Sequence, residues 1–161
     1  MKNLFLFMAI TLVGLGGCSE KRSQPLAIDN SLTQEEIAAG VLSPEVMWKM
    51  GRVGLASLSP DASRLLYTVT WYNMQENRGV TAIYVRDAAS GEVAQLTDFS
   101  SNNSDPKWNA DGSKIYFLSD LSGSSQIWEM AADGQNPRQL SKLDKDIEGF
   151  GVNPAGDKVF Y

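Results

Sequence analysis

Short apolar runs alternate with turn residues along most of this chain, and the alternation is most regular from residue 53 onward. Leu65 to Trp71, Thr81 to Arg86, Lys114 to Leu118 and Gln126 to Met130 are rich in β-branched and aromatic side chains, the composition of half-buried strands. Val53 to Leu58, apolar with small residues, reads as an inner strand. Glu92 to Leu96, Asp105 to Trp108 and Arg138 to Leu140 complete two sets of four. A further set begins at Ile147 to Val152 and continues from Lys158. The turns between them have their own chemistry. Asp111-Gly112 and Asp133-Gly134 supply the positive φ that tight hairpins need, Ser90-Gly91 does so more weakly, and Pro60-Asp61 fits the first bend of a type I turn.

The sets are copies of one another. Ser59-Pro60-Asp61-Ala62-Ser63-Arg64-Leu65-Leu66-Tyr67 returns 50 positions later from Asn109 to Phe117, and 44 positions after that from Asn153 to Tyr161. Ile83-Tyr84-Val85 followed by Gln95-Leu96-Thr97 returns as Ile127-Trp128-Glu129 followed by Gln139-Leu140-Ser141, again 44 apart. Repeats of this period with four short strands each predict the blades of a β-propeller. The expected fold class is all-β, a partial propeller of about two and a half four-stranded blades behind a short helical segment. The blades fall near 53–97, 104–141 and 147–161. A closed ring takes roughly 4–8 blades, and two blades with a fragment would leave apolar faces open to water. The sequence is therefore expected to be the front of a longer protein, or a product cut short.

Ahead of the strands, Thr33-Gln34-Glu35-Glu36 fits a capping box closed by Gly40. Ser43-Pro44-Glu45 opens a second short helix, with Val46, Met47 and Met50 as its expected buried stripe and Trp48 beside it.

The amino terminus is of a different kind. Lys2 precedes an apolar run from Leu4 to Val13, and Leu15-Gly16-Gly17-Cys18 follows. This is the plan of a secretory signal, too short for a good transmembrane helix. Its end resembles the lipobox of bacterial lipoproteins, in which the cysteine becomes the new amino terminus and carries lipid. Cys18, the single cysteine, is on this reading the lipidation site; the alternative is an ordinary signal with a chance cysteine. The domain plan is then a signal peptide over 1–17, a tether and short helix over 18–41, and the propeller segment over 42–161. Residues 19–30, polar and without periodicity, are expected to be a flexible tether. The protein is expected to be exported and membrane-anchored through acylated Cys18. Ser19 resembles the residue found there in lipoproteins of the outer membrane, which would face it to the periplasm of a Gram-negative bacterium. Acyl anchoring adds about 0.8 kcal/mol per buried CH₂.

Charge and inventory narrow the chemistry. The net charge is −5, and −6 once the signal and its Lys2 are removed; no cluster of Lys and Arg is present, which argues against a nucleic-acid partner. Histidine is absent, so no Ser-His-Asp triad forms within the chain, and zinc sites of Cys and His are out of reach. No Gly-x-Ser-x-Gly elbow occurs; Gly123-Ser124-Ser125-Gln126 fails at its last position. No cofactor and no catalytic residue is expected here. Asp144-Lys145-Asp146-Ile147-Glu148-Gly149 starts like a calcium loop, but Ala155 stands where an EF-hand needs its bidentate acid, so it reads as a solvated loop and no metal is expected. Glu35-Glu36 suits capping better than gripping a substrate amine. Asp61, Asp111 and Asp157 belong to turns. Trp71, Trp108, Trp128, Tyr84 and Tyr116 occupy strand positions and read as blade core, with a ligand platform as the alternative.

The run Leu42-Ser43-Pro44-Glu45-Val46-Met47-Trp48-Lys49-Met50-Gly51-Arg52-Val53, followed by Leu58-Ser59-Pro60-Asp61, resembles the start of the propeller in bacterial dipeptidyl-peptidases of the prolyl oligopeptidase family, the type V enzymes in particular. Gly123 to Gly134, running on to Arg138-Gln139-Leu140-Ser141, is similar to that family's second blade. The likeness covers residues 42–161. It implies an amino-terminal propeller that restricts access to an α/β-hydrolase domain, which holds the catalytic Ser, Asp and His and releases dipeptides from peptide amino ends. None of those residues maps onto this sequence, so the chain alone is expected to be inactive; peptides are its implied substrates only if a hydrolase domain follows. Ala62 departs from the family's usual glycine, and Ala155-Gly156 is offset from the usual turn. The rival is a non-catalytic propeller lipoprotein, a periplasmic binding scaffold similar to the propeller protein of the Tol system. That protein places a separate α/β domain before its blades, where this chain has a tether and two short helices.

Overall fold

The computed structural model describes residues 25–161. Two short helices lead in, α1 (Gln34–Ala39) and α2 (Pro44–Trp48). Ten strands follow in three antiparallel sheets. The first holds β1 (Arg52–Leu58), β2 (Arg64–Asn73), β3 (Arg78–Asp87) and β4 (Val93–Gln95) in sequence order. The second holds β5 (Asn103–Trp108), β6 (Lys114–Ser119), β7 (Gln126–Ala131) and β8 (Arg138–Gln139) in the same order. The third pairs β9 (Gly151–Val152) with β10 (Val159–Phe160). This is the four-stranded meander of propeller blades, twice, with a two-stranded piece of the same kind after it.

The period-2 alternation of β6 explains how the sheets stack. Ile115 and Phe117 point back to the first sheet, where, together with Met130 of their own sheet, they meet Leu66 and Ile83, with Trp108 and Trp128 packed alongside. Tyr116 and Leu118 point forward, joining Ile127, Ile147 and Phe150 against Val152 and Val159. Each face of the second sheet thus fills one seam between sheets. Burying such Leu, Ile and Phe side chains contributes about 1.5–3 kcal/mol each.

The repeated turns are built alike. Ser59 Oγ accepts from Arg64 N at 2.9 Å, Asn109 Oδ1 from Lys114 N at 2.9 Å, and Asn153 Oδ1 from Lys158 N at 2.8 Å. At the residue that reverses the chain, Ala62, Gly112 and Gly156 have φ of 56°, 73° and 72°. Gly156 therefore stands in register with Gly112, and the offset expected at Ala155-Gly156 does not occur. The inner strands share a bulge as well. Leu55 and Asp105, 50 positions apart like the turns, have positive φ, and each marks a shift of register in its strand.

Three expectations are corrected. The stripe of α2 is one residue wide: Val46 is buried, whereas Met47 and Met50 are 49% and 47% exposed. A five-residue helix turns too little surface inward to bury all three. The segment expected to be a free tether is docked over its last residues, where Leu26 is 3% exposed and its N–H donates to Phe99 O at 2.9 Å. Ala27 O also accepts from Asn73 Nδ2 at 2.7 Å. Finally, Ile147 to Phe150 is loop rather than strand. Ile147 N donates to Ser125 O at 2.9 Å and its side chain fills the second seam, so the backbone is spent on the β6–β7 hairpin.

Candidate functional site

Two surfaces combine aromatic side chains with polar groups. The first is the face of the leading sheet that looks away from the second. Tyr67 and Tyr84 are paired across β2 and β3 and stack with centroids 5.7 Å apart and planes 22° from parallel. Trp71 Nε1 donates to Tyr84 Oη at 3.1 Å, and Tyr84 Oη donates to Gln95 Oε1 at 3.1 Å. Burial pushes the Tyr84 hydroxyl above its ordinary range, against the bond from Trp71 that pulls it down. It is therefore a neutral donor and acceptor at any physiological pH. Trp108, Trp128 and Tyr116 lie instead in the two seams. The aromatic set read as blade core thus divides: three members are core, while Trp71 and Tyr84 form a half-buried platform.

The second surface is a cleft of about 620 Å³ between the amino-terminal segment, α2 and the β2–β3 hairpin. Trp48 meets Tyr72 edge-on, centroids 5.1 Å apart at 67°. Arg52 lies against both rings, its Cζ 4.5 Å from the Trp48 centroid and 4.4 Å from that of Tyr72. Asp29 and Glu45 add carboxylates to the lining. Hydrogen bonds from Ser31 hold the Asp29 carboxyl below its usual range, with Lys49 adding to the effect. Glu45 is lowered by its own backbone N–H and by Ser43. Lys49 Nζ is 3.0 Å from Glu36 Oε2 and donates to Ser31 O at 3.0 Å. The sequence reading missed this cleft. A signal for it exists: Arg52 pairs with Thr70 across β1 and β2, which makes Tyr72 its diagonal neighbour, within reach of a long side chain.

The remaining residues singled out from sequence have local duties. Glu36 Oε2 accepts from Thr33 N at 2.7 Å and Thr33 Oγ1 accepts from Glu36 N at 3.2 Å, a closed capping box. Glu35 lies in the same first turn. Asp61 accepts from Ser59 Oγ at 2.5 Å and from Ser63 N at 3.1 Å, which lowers its carboxyl to about 2. Asp111 Oδ1 accepts from Ser113 N at 2.8 Å, and Asp157 Oδ1 from Asn153 Nδ2 at 2.8 Å. Asp146 Oδ1 accepts from Ser125 N at 2.6 Å, which ties the acidic loop to the β6–β7 hairpin. Among the described residues no three His, Cys, Asp or Glu side chains gather as a metal would require, and no helix is long and apolar enough to cross a membrane. Cys18 lies outside the described residues.

Comparison with known proteins places this geometry. The TolB beta propeller domain family matches residues 33–161. Dipeptidyl-peptidase 5 of Porphyromonas endodontalis is 30% identical over 134 residues, covering 83% of this chain and 19% of that protein. Dipeptidyl-peptidase 5 of Porphyromonas gingivalis is 32% identical over 160 residues, covering 99% of this chain and 22% of that protein. The chain thus spans about a fifth of the length of these curated relatives. Among solved structures, the acylaminoacyl peptidase of Pyrococcus horikoshii superposes with a TM-score of 0.60 at 18% identity, over 70% of this chain and 17% of that one. The resemblance to prolyl oligopeptidase-family propellers read from Leu42 to Val53 is borne out, as is the all-β partial propeller. The chain belongs to the TolB beta propeller domain family, and its blades are related to the propellers of dipeptidyl-peptidases as well as to TolB itself.

Proposed function

We propose that this chain is the amino-terminal propeller segment of an exported, lipid-anchored serine peptidase of the prolyl oligopeptidase family, which releases dipeptides from the amino ends of peptides. The observation that carries the reading is the reach of the likeness to dipeptidyl-peptidase 5. It runs over 160 residues, and so takes in the stretch before residue 33, where the TolB beta propeller match begins. The other dipeptidyl-peptidase 5 relative is alike over 134 residues, 83% of the chain. In this reading the propeller holds no catalytic group and limits which peptides reach a hydrolase domain supplied by the rest of the protein. The absence of histidine accords with that division of labour, since the base for a serine nucleophile must come from elsewhere. Exposed Val53, Leu55 and Leu58 on β1 are of the kind that further blades cover.

Anchoring is proposed through Cys18, with outer-membrane attachment facing the periplasm. The test is the size and labelling of the native protein. A membrane-fraction band several times larger than 17.6 kDa that reacts with a fluorophosphonate and takes up labelled palmitate is the expected result. A band at the chain's own size that neither label reaches would overturn the peptidase reading. Loss of palmitate label and of membrane retention in Cys18→Ser is the expected outcome for the anchor; retention of both would overturn it separately. The second reading, a binding scaffold, is supported by the TolB description of the matching family. It predicts a larger band that the fluorophosphonate leaves unlabelled.

A further inference from the structure

The peptidase reading leaves the cleft beside α2 without a role, and its lining is specific. The cavity of about 340 Å³ at the first seam is walled by core residues such as Phe117, Trp128 and Met130. In the groove of about 450 Å³ at the second seam, Glu129 is already bridged by Arg138 at 2.6 Å and Lys114 at 3.5 Å. The cleft beside α2 differs from both. Its aromatic wall is Trp48 and Tyr72, its apolar floor includes Ile28 and Met74, and Asp29 and Glu45 bring carboxylates from two separate elements. Met74 is 54% exposed.

The charge in the cleft is not balanced. Lys49 also lines it, but its ammonium is bonded to Glu36 and the Ser31 carbonyl and acts on Asp29 only through space, so two exposed lining carboxylates, Asp29 and Glu45, share one ammonium that is bonded elsewhere. The chain also shows what the aromatic pair accepts, because Arg52 rests its guanidinium on both rings without itself lining the cleft. Rings that hold one cation, next to carboxylates with no cation bonded to them and an apolar floor, match a cation with an apolar stem. We infer that this cleft binds a small organic cation, an alkylguanidinium or alkylammonium group, with its stem against Ile28 and Met74 and its head toward Asp29 and Glu45. This inference stands apart from the peptidase reading, since it uses no catalytic group.

Calorimetric titration of the full-length protein tests it. Butylguanidinium represents a free cation, N-acetyl-arginine methylamide a cation carried on a polypeptide, and N-acetyl-citrulline methylamide its neutral counterpart. Saturable binding of butylguanidinium is expected, with binding of the citrulline compound weaker by about tenfold or more than that of the arginine compound where the latter binds. Binding of both cations would extend the ligand class to arginine side chains, and binding of butylguanidinium alone would assign the cleft to free cations. The double variant Asp29→Asn/Glu45→Gln, at exposed positions, should lower cation affinity about tenfold or more, and Trp48→Leu should abolish binding. Trp48→Leu is counted only if its circular dichroism matches the parent; the double variant carries the test otherwise. Absence of saturation by either cation, equal affinity for the neutral compound, or unchanged affinity in the double variant would each overturn the inference.

Discussion

The guanidinium of Arg64 lies over the indole of Trp108, Cζ 4.7 Å from the ring centroid. The two residues belong to different sheets: Arg64 opens β2 and Trp108 closes β5. Arg64 Nη2 also donates to Gly112 O at 3.0 Å, in the turn that follows β5. One side chain therefore fastens the first seam by a cation–π contact and a charge-assisted hydrogen bond together. Arg64→Met should destabilise the protein by about 1–3 kcal/mol. Arg64→Lys should recover only part of that, since a compact ammonium cannot lie flat on the ring while reaching the carbonyl. Urea unfolding monitored by tryptophan fluorescence checks both; an unchanged midpoint in Arg64→Met would show that the contact adds no net stability.

The second seam has a neutral fastening. Tyr116 is 6% exposed, and its hydroxyl donates to Gly156 O at 3.1 Å. Tyr116→Phe keeps the ring and leaves that carbonyl without its donor, and is expected to cost about 1 kcal/mol. Gly156→Ala should cost more. It puts a Cβ at a φ of 72° and drives that carbon into the backbone of Ala110. The same unfolding measurement ranks them, and Tyr116→Phe proving the worse of the two would contradict this account.

Acid acts on the first turn through Asp61. Its carboxyl is lowered from 3.8 to about 2, chiefly by the Ser59 hydroxyl, then by the Ser63 side chain and backbone. A carboxylate lowered in the folded state adds stability above its unfolded value and loses it as pH falls through the folded one. In the folded protein the bonds to Ser59 and Ser63 should therefore persist at neutral pH and be half lost near pH 2, while the stability they add declines from about pH 4 downward. A nuclear magnetic resonance titration of the folded protein should show the Ser63 amide moving with the Asp61 carboxyl carbon, with a midpoint near pH 2. In Asp61→Asn that pH-linked shift of the Ser63 amide should disappear.

What the sequence disclosed and what it hid follow from range. Alternation within Lys114 to Leu118 and Gln126 to Met130 predicted β6 and β7 almost to the residue, because pleat and burial are local properties of a strand. The caps at Thr33 and Ser43 were legible for the same reason. Leu26 was not. Nothing in a polar stretch with one leucine says that it will dock beside Phe99, and the contact depends on where the β4–β5 connection places the Phe99 carbonyl. The cleft was hidden more deeply, since Asp29, Trp48 and Tyr72 meet only after three separate segments converge. Position 62 lies between these cases. Its place in the turn was readable from the repeat, but its backbone angle was not.

That angle carries the last prediction. Ala62 closes the first repeated turn with φ 56°, where the equivalent residues of the next two turns are glycines at 73° and 72°. Its N–H donates to Ser59 O at 2.8 Å, as Gly112 N does to Asn109 O at 3.2 Å and Gly156 N to Asn153 O at 2.8 Å. The three turns thus adopt one conformation, and only the first holds a Cβ in the left-handed region. That conformation costs an L-residue roughly 1–2 kcal/mol, while glycine's freedom in the unfolded chain takes back about 0.4–1 kcal/mol. The difference favours Ala62→Gly by up to about 1.6 kcal/mol. Ala62 is exposed, so the lost methyl removes little packing that would offset the gain. A raised unfolding midpoint for Ala62→Gly, with a lowered one for Gly112→Ala, is the expected pair of results. A lower midpoint in Ala62→Gly would mean that the Ala62 backbone is not strained.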